Sequence, residues 1–222
     1  MGMSDGTLAI VDCNKAEKLR SSQVAQMAIR SIAFMNRDSK HVVVASASAV
    51  QTVSISPKIG VVESNLRIGK GSSSIGKKNK KNKQTPIDLL RVSPSDTYLL
   101  SADSQGTLAM TPLKHSEEES KDVTTKEWSV SGAHQDGVQS IQFAAGSDEL
   151  FASSSKSGAE SCSIWYLKSE EPVALLDRPC AAQSKVFEIH SVRSGKTIKL
   201  SCVSDSAITL YSVKAKSLTS KD

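Results

Sequence analysis

Paired cysteines are missing from this 222-residue chain: Cys13, Cys162, Cys180 and Cys202 form no CxxC or CxxxC motif. The histidines, His41, His115, His134 and His190, do not cluster with them. That spacing argues against a disulfide framework or a structural zinc site. No apolar run approaches the roughly 18 residues that cross a bilayer. The opening MGMSDGTLAIVDC places an acid where a signal peptide carries its basic flank. A soluble, intracellular chain with reduced thiols is expected. Long helical periodicity is also lacking, and the best amphipathic stretch, Asn14 to Ala28, is interrupted by serines and uncapped. Only six prolines occur, with no Ser/Pro tract of the kind that marks a disordered tail.

Charge is unevenly placed. The formal net charge is +5, yet Lys70 to Lys83 alone carries six lysines and no acid. The remaining chain holds 22 basic and 23 acidic residues. Basicity therefore belongs to one segment, and the body is close to neutral. Serine is abundant, 39 of 222 residues, which suits many short strands joined by polar turns.

Short runs rich in Val, Ile, Leu and Ser recur, many with period-2 character: Ile29 to Phe34, His41 to Ala45, Ala49 to Ser56, Pro86 to Val92 and Thr97 to Ser101. They continue at Val138 to Phe143, Leu150 to Ser153, Ser161 to Leu167, Thr197 to Val203 and Ile208 to Val213. Turn signals separate them, among them SDGT at 4–7, SPSD at 93–96, DSQGT at 103–107 and AGSDE at 145–149. An all-β fold is predicted. Turns between second and third strands fall near 5, 48, 104, 157 and 205, spaced like a repeat of about 40–45 residues with polar insertions. The insertions are 70–84, rich in lysine, and 115–127, rich in acid.

On these residues the chain resembles the WD-repeat family. The clearest unit runs from Gly132 to Leu167: His134 stands at the family's Gly-His position, Val138 to Phe143 at the innermost strand, and Trp165 at the Trp-Asp position. Pro86 to Leu113 matches the inner strands and the Asp-x-x-Gly-Thr turn. The resemblance implies that His134, Ser153 and Trp165 form a buried hydrogen-bonded chain, acceptable inside a protein only when its members are paired. The turn Asp of the motif is replaced by Lys156 and Ser157. In other units Val11, Ile55, Thr111 and Tyr211 lie at or near the tryptophan position. A single divergent propeller region spanning 1–222 is expected, with a β-sandwich as the alternative. Third- and fourth-strand candidates precede Ile29 and about four repeats follow, whereas seven blades need about 280 residues. The count favours a partial propeller of four to five blades over a small closed ring.

Candidate chemistry is sparse. Gly71 to Lys78 fits GxxxxGK, but Lys78 replaces the hydroxyl that would hold magnesium and no helical face follows. No nucleophile-base, paired-carboxylate or metal-ligand spacing appears. Asp88, Asp96, Asp103, Asp136, Asp148 and Asp205 sit at strand edges or turns, where carboxylates cap amides. No enzyme activity, cofactor, metal, membrane or small-molecule substrate is expected. Ser116 to Glu119 has the pattern of an acidic-directed kinase site. Lys70, Lys77, Lys78, Lys80, Lys81 and Lys83 are the candidate contacts to RNA phosphates or an acidic partner, attracting charge without reading bases. Lys77-Lys78-Asn79-Lys80 also has the spacing of a nuclear-import signal.

The lysine insertion together with Glu171-Pro172-Val173, Lys199 to Asp205 and Leu210-Tyr211 is similar to WD-repeat subunits of the ribosomal small-subunit processome. That resemblance implies a scaffold in the nucleus and nucleolus, with other propeller proteins and precursor ribosomal RNA as partners. The alternative is a cytoplasmic adaptor propeller, such as a ligase substrate receptor or trafficking scaffold.

Overall fold

The computed structural model describes residues 1–47, 49–56, 58–66, 68, 85–113, 127–156, 162–167, 172, 174–176, 185–192, 197–203 and 208–214. Among them every helix or strand is a strand. The first sheet pairs β1 (Thr7–Asp12) with β2 (Glu17–Gln23). The second is a four-stranded meander of β3 (Ile29–Phe34), β4 (His41–Ser46), β5 (Val50–Ser54) and β6 (Val62–Leu66). The third follows as β7 (Ile87–Val92), β8 (Tyr98–Asp103), β9 (Leu108–Pro112) and β10 (Trp128–Val130). The fourth comprises β11 (Val138–Phe143), β12 (Leu150–Ser155), β13 (Cys162–Tyr166) and β14 (Ala174–Leu176). The fifth contains β15 (Lys185–Val192), β16 (Thr197–Val203) and β17 (Ile208–Lys214). All pairings are antiparallel.

The sheets stack face to face in chain order, so a middle sheet is covered on both sides. In β4, Val42 and Val44 turn toward Leu8 of the first sheet, while Val43 and Ala45 turn toward Leu90 and Leu99 of the third. Leu100, Leu108, Met110 and Trp128 then meet Ile141, Phe151 and Trp165, and Leu150, Ala152 and Ile164 meet Ile198, Leu200 and Cys202. Strict alternation delivers one set of side chains to each interface. Double burial explains why β12 reads as six buried residues in a row. Inner strands β3, β7, β11 and β15 neighbour one another in that order, as blades do in a propeller.

Each inner strand carries a bulge at the same place, between Ile29 and Ser31, Ile87 and Leu89, Val138 and Ser140, and Val186 and Glu188. The extra residues are Arg30, Asp88, Gln139 and Phe187. A bulge kinks the strand and re-aims the residue it carries. Phe187 beside Val186 also breaks the period-2 pattern, which is why 185–192 is not legible as a strand in the sequence. Strand β2 falls within the amphipathic stretch Asn14 to Ala28. Counting from the bulges, Thr111 is the register equivalent of Trp165, as expected, but Val53 and Val213 replace Ile55 and Tyr211 at that position.

Candidate interaction surface

Of the residues singled out in the sequence, His134, Ser153 and Trp165 meet between the third and fourth sheets. Trp165 Nε1 donates to Ser153 Oγ at 2.8 Å, and His134 Nε2 lies 2.7 Å from the same oxygen. His134 is 2% exposed, and burial lowers its pKa to about 4, so the ring is neutral at physiological pH. Trp165 packs beside Trp128 and Phe151, ring centroids 5.7 Å and 6.3 Å away. Gly106, at φ +78°, brings the β8–β9 turn against the His134 backbone, where a Cβ would collide with the His134 carbonyl oxygen. The constellation therefore fastens the strands of one blade and abuts the turn of the preceding one.

The same end of the sheets carries an ionic rim that sequence reading missed. Arg30 Nη1 lies 2.6 Å from Asp88 Oδ1, and Lys156 Nζ lies 3.6 Å from Asp88 Oδ2. Asp88 is expected from the sequence to cap backbone amides at a strand edge or turn; its place at the bulge instead aims it at Arg30 and Lys156 of neighbouring blades. Nothing in the hydropathy pattern marks a bulge residue, so the sequence held no signal for this pairing. Strand direction places the start of β7 and the end of β6 at this end, and these bracket the lysine insertion. Lys70, Lys77, Lys78, Lys80, Lys81 and Lys83 themselves lie outside the described residues, as does Gly71 to Lys78. A cleft of about 540 Å³ opens nearby, lined by Gln23, Gln26, Ser46 and Gln51 with Val24, Ala25 and Ala49.

The opposite end is held by carboxylates. Asp96, 1% exposed, accepts from the backbone amides of Asn36 and Arg37, each at 2.7 Å, and from Asn36 Nδ2 at 3.2 Å. Asp148 accepts from the Ser95 amide at 2.9 Å and from the Ser95 hydroxyl. Each thus ties its own loop to the loop of the preceding sheet, rather than capping only its own turn. Back at the His134 end, Asp103 does cap its own turn, accepting from Gln105 and Thr107 at 2.9 and 2.8 Å, and Asp5 accepts from Thr7 in the same way at 2.8 Å. The Thr7 hydrogen bonds lower the Asp5 pKa. The end of β9 and the start of β10, which flank the acidic insertion in the sequence, lie at the Asp96 end; most of 115–127, with Ser116 to Glu119, lies outside the described residues.

Among the described residues no group of three His, Cys, Asp or Glu side chains could hold a metal. Cys162 and Cys202 are buried in the apolar layer between the last two sheets. No helix among the described residues is long and apolar enough to cross a membrane. What the surface offers is backbone edges, charged rims and shallow clefts.

No family model matches the sequence, and no curated protein matches it. Among solved structures, the chain is similar to one in the "Crystal Structure of Mitotic Checkpoint Complex", with a TM-score of 0.59 and 16% identity. The likeness covers 96% of this chain and 62% of that one, so the present chain spans less than two thirds of its neighbour's length. As many as 1071 solved chains match, and a fold so widely shared singles out no one activity. The likeness and the stacked four-stranded sheets establish the fold as an all-β, divergent WD-repeat-like propeller.

Proposed function

We propose that this chain is a non-enzymatic WD-repeat scaffold subunit of a large assembly, acting in small-subunit ribosome biogenesis and pre-rRNA processing in the nucleolus. One observation carries the reading. Six lysines without an acid are gathered in the sequence in a single insertion between β6 and β7, on a near-neutral body. A fold does not require such charge density, whereas a phosphate backbone rewards it by counterion release. The absence of arginine and aromatics from Lys70 to Lys83 suits backbone contact rather than base readout. The similar solved chain belongs to a multi-protein complex, which supports a scaffold role without supporting any role in that complex. Other propeller proteins are the proposed protein partners.

The test is the salt dependence of binding to single-stranded precursor ribosomal RNA. Six phosphate contacts give a slope of log affinity against log salt near −4, from about −0.7 per contact on a single strand. Replacing all six lysines with Gln should flatten that slope and leave thermal stability unchanged. Unaltered slope and unaltered nucleolar entry in that variant would overturn the proposal.

A further inference from the structure

At the Asp96 end a cleft of about 260 Å³ opens between β7 and β11. Arg91 and Pro94 line one side, Phe143, Ala145 and Gly146 the other, and Asn36 of the β3–β4 loop also lines it. These residues belong to three four-stranded sheets, so the cleft takes nothing from the first or the last sheet. Its rims are fastened. Asn36 Nδ2 donates to Ser93 O at 2.8 Å, and Ser93 Oγ accepts from the Thr97 and Tyr98 amides at 3.1 and 3.0 Å. Across the cleft, Ala144 N donates to Leu150 O at 2.8 Å and Ser147 N to Ala144 O at 3.1 Å, closing the turn that carries Ala145 and Gly146.

Arg91 is the unusual wall. It stands three residues after the bulge residue Asp88, and its cross-strand neighbour Leu100 belongs to the apolar layer between the third and fourth sheets. The equivalent residue of β3, three after Arg30, is Ala33, which is 5% exposed inside the layer between the second and third sheets. A long charged side chain thus replaces a small apolar one, and the layer opens there. Among the described residues Arg91 makes one hydrogen bond, from Nη1 to the neighbouring Leu90 O at 2.9 Å, and no ion pair. That bond holds the guanidinium beside the backbone and leaves most of its donors free. Asp96 and Asp148 do not line the cleft; their oxygens are directed at loop amides and the Ser95 hydroxyl.

We infer that this cleft is a docking site for a glutamate side chain of a partner protein. The carboxylate meets the Arg91 guanidinium in a charge-assisted pair, and the residues beside the glutamate rest on Pro94 and Ala145. Magnitude selects a protein segment over a free small acid. An ion pair open to solvent is worth about fivefold in affinity or less, too little to hold a lone small acid. A chain crossing the cleft adds apolar and main-chain contacts along rims that are already fastened, so little ordering opposes it. The inference rests on the scaffold reading and deepens it by naming the chemistry of one protein contact.

The probe is the blocked peptide acetyl-Ser-Leu-Glu-Leu-Ser-amide, titrated into the full chain by NMR with no RNA present. It should bind saturably in the millimolar range and shift the amide resonances of residues 91–92 and 143–146. The same peptide with Gln in place of Glu should bind about fivefold more weakly, the scale of one exposed ion pair. Arg91→Gln should erase that difference, and Arg91→Lys should keep part of it, because the charge remains without the planar fork. Lys199→Gln, at an exposed position on the fifth sheet, should leave the difference unchanged. Arg91 is itself exposed, so thermal unfolding of its variants should match that of the parent chain. Lack of saturable binding at millimolar peptide overturns the inference. So does a Glu preference that survives Arg91→Gln, or glutarate binding as tightly as the peptide. None of these results touches the lysine-based reading, whereas loss of RNA binding would leave the peptide titration intact.

Discussion

Replacing Ser153 with Ala removes one oxygen and strips two buried groups of the same partner. Ser153 is 0% exposed, and its Oγ accepts from Trp165 Nε1 at 2.8 Å while lying 2.7 Å from His134 Nε2. The volume change is less than one methylene, so cavity terms are small. The cost comes from two desolvated polar groups losing a hydrogen bond, at about 1–3 kcal/mol each. We expect Ser153→Ala to lower the unfolding free energy by about 2–5 kcal/mol in urea titration, with little change in slope because the buried surface is unchanged. Trp165→Phe removes the same donor and retains an aromatic ring. If the chain of bonds is real, the double variant should be less destabilised than the sum of the two, by at least about 0.5 kcal/mol. Additivity within about 0.3 kcal/mol, or a Ser153→Ala effect below about 1 kcal/mol, would refute the reasoning.

Asp96→Ala should destabilise by about 2–4 kcal/mol, since a buried carboxylate bonding two amides of the neighbouring loop is lost, and hydrogen exchange at Asn36 and Arg37 should accelerate. Gly106→Ala should be destabilising by more than about 1 kcal/mol in thermal unfolding, combining positive-φ strain with a collision against the His134 carbonyl. The neutral His134 contributes stability above pH 6.5 that is lost as pH falls toward 4, because the unfolded ring takes up a proton there and the folded one does not. Its full size is about 3 kcal/mol, and His134→Gln should remove that part of the pH dependence when the two proteins are compared between pH 7 and 4.

The all-β class, the repeat and most strand positions were legible because alternation and turn chemistry are local properties. Val138–Phe143 and Thr197–Val203 match their expected bounds residue for residue. Outer strands β10 and β14, three residues each, are too short to show a period. Strand β6, VESNL, is exposed along almost its whole length, so neither of its faces needs to be apolar. The abundant serines found their reason only in three dimensions. Ser46, Ser101, Ser153, Ser154, Ser155 and Ser163 are all buried, small polar groups fitting where sheets press on both faces of a strand. Asp96 and Asp148 were recognisable as turn residues, but their partners lie 53 to 60 positions away, and no local pattern could name them. Arg30 and Asp88 depend on two bulges in different strands falling at the same height, which again is a property of the stack.

The proposed assembly is tested most directly by purifying the tagged full chain from cells and identifying both the proteins and the RNA that accompany it. The account predicts other propeller proteins of small-subunit ribosome assembly together with precursor ribosomal RNA, the RNA falling away when the six lysines are replaced by Gln. Recovery of ligase or coat components without ribosomal RNA would contradict it and identify a cytoplasmic adaptor instead.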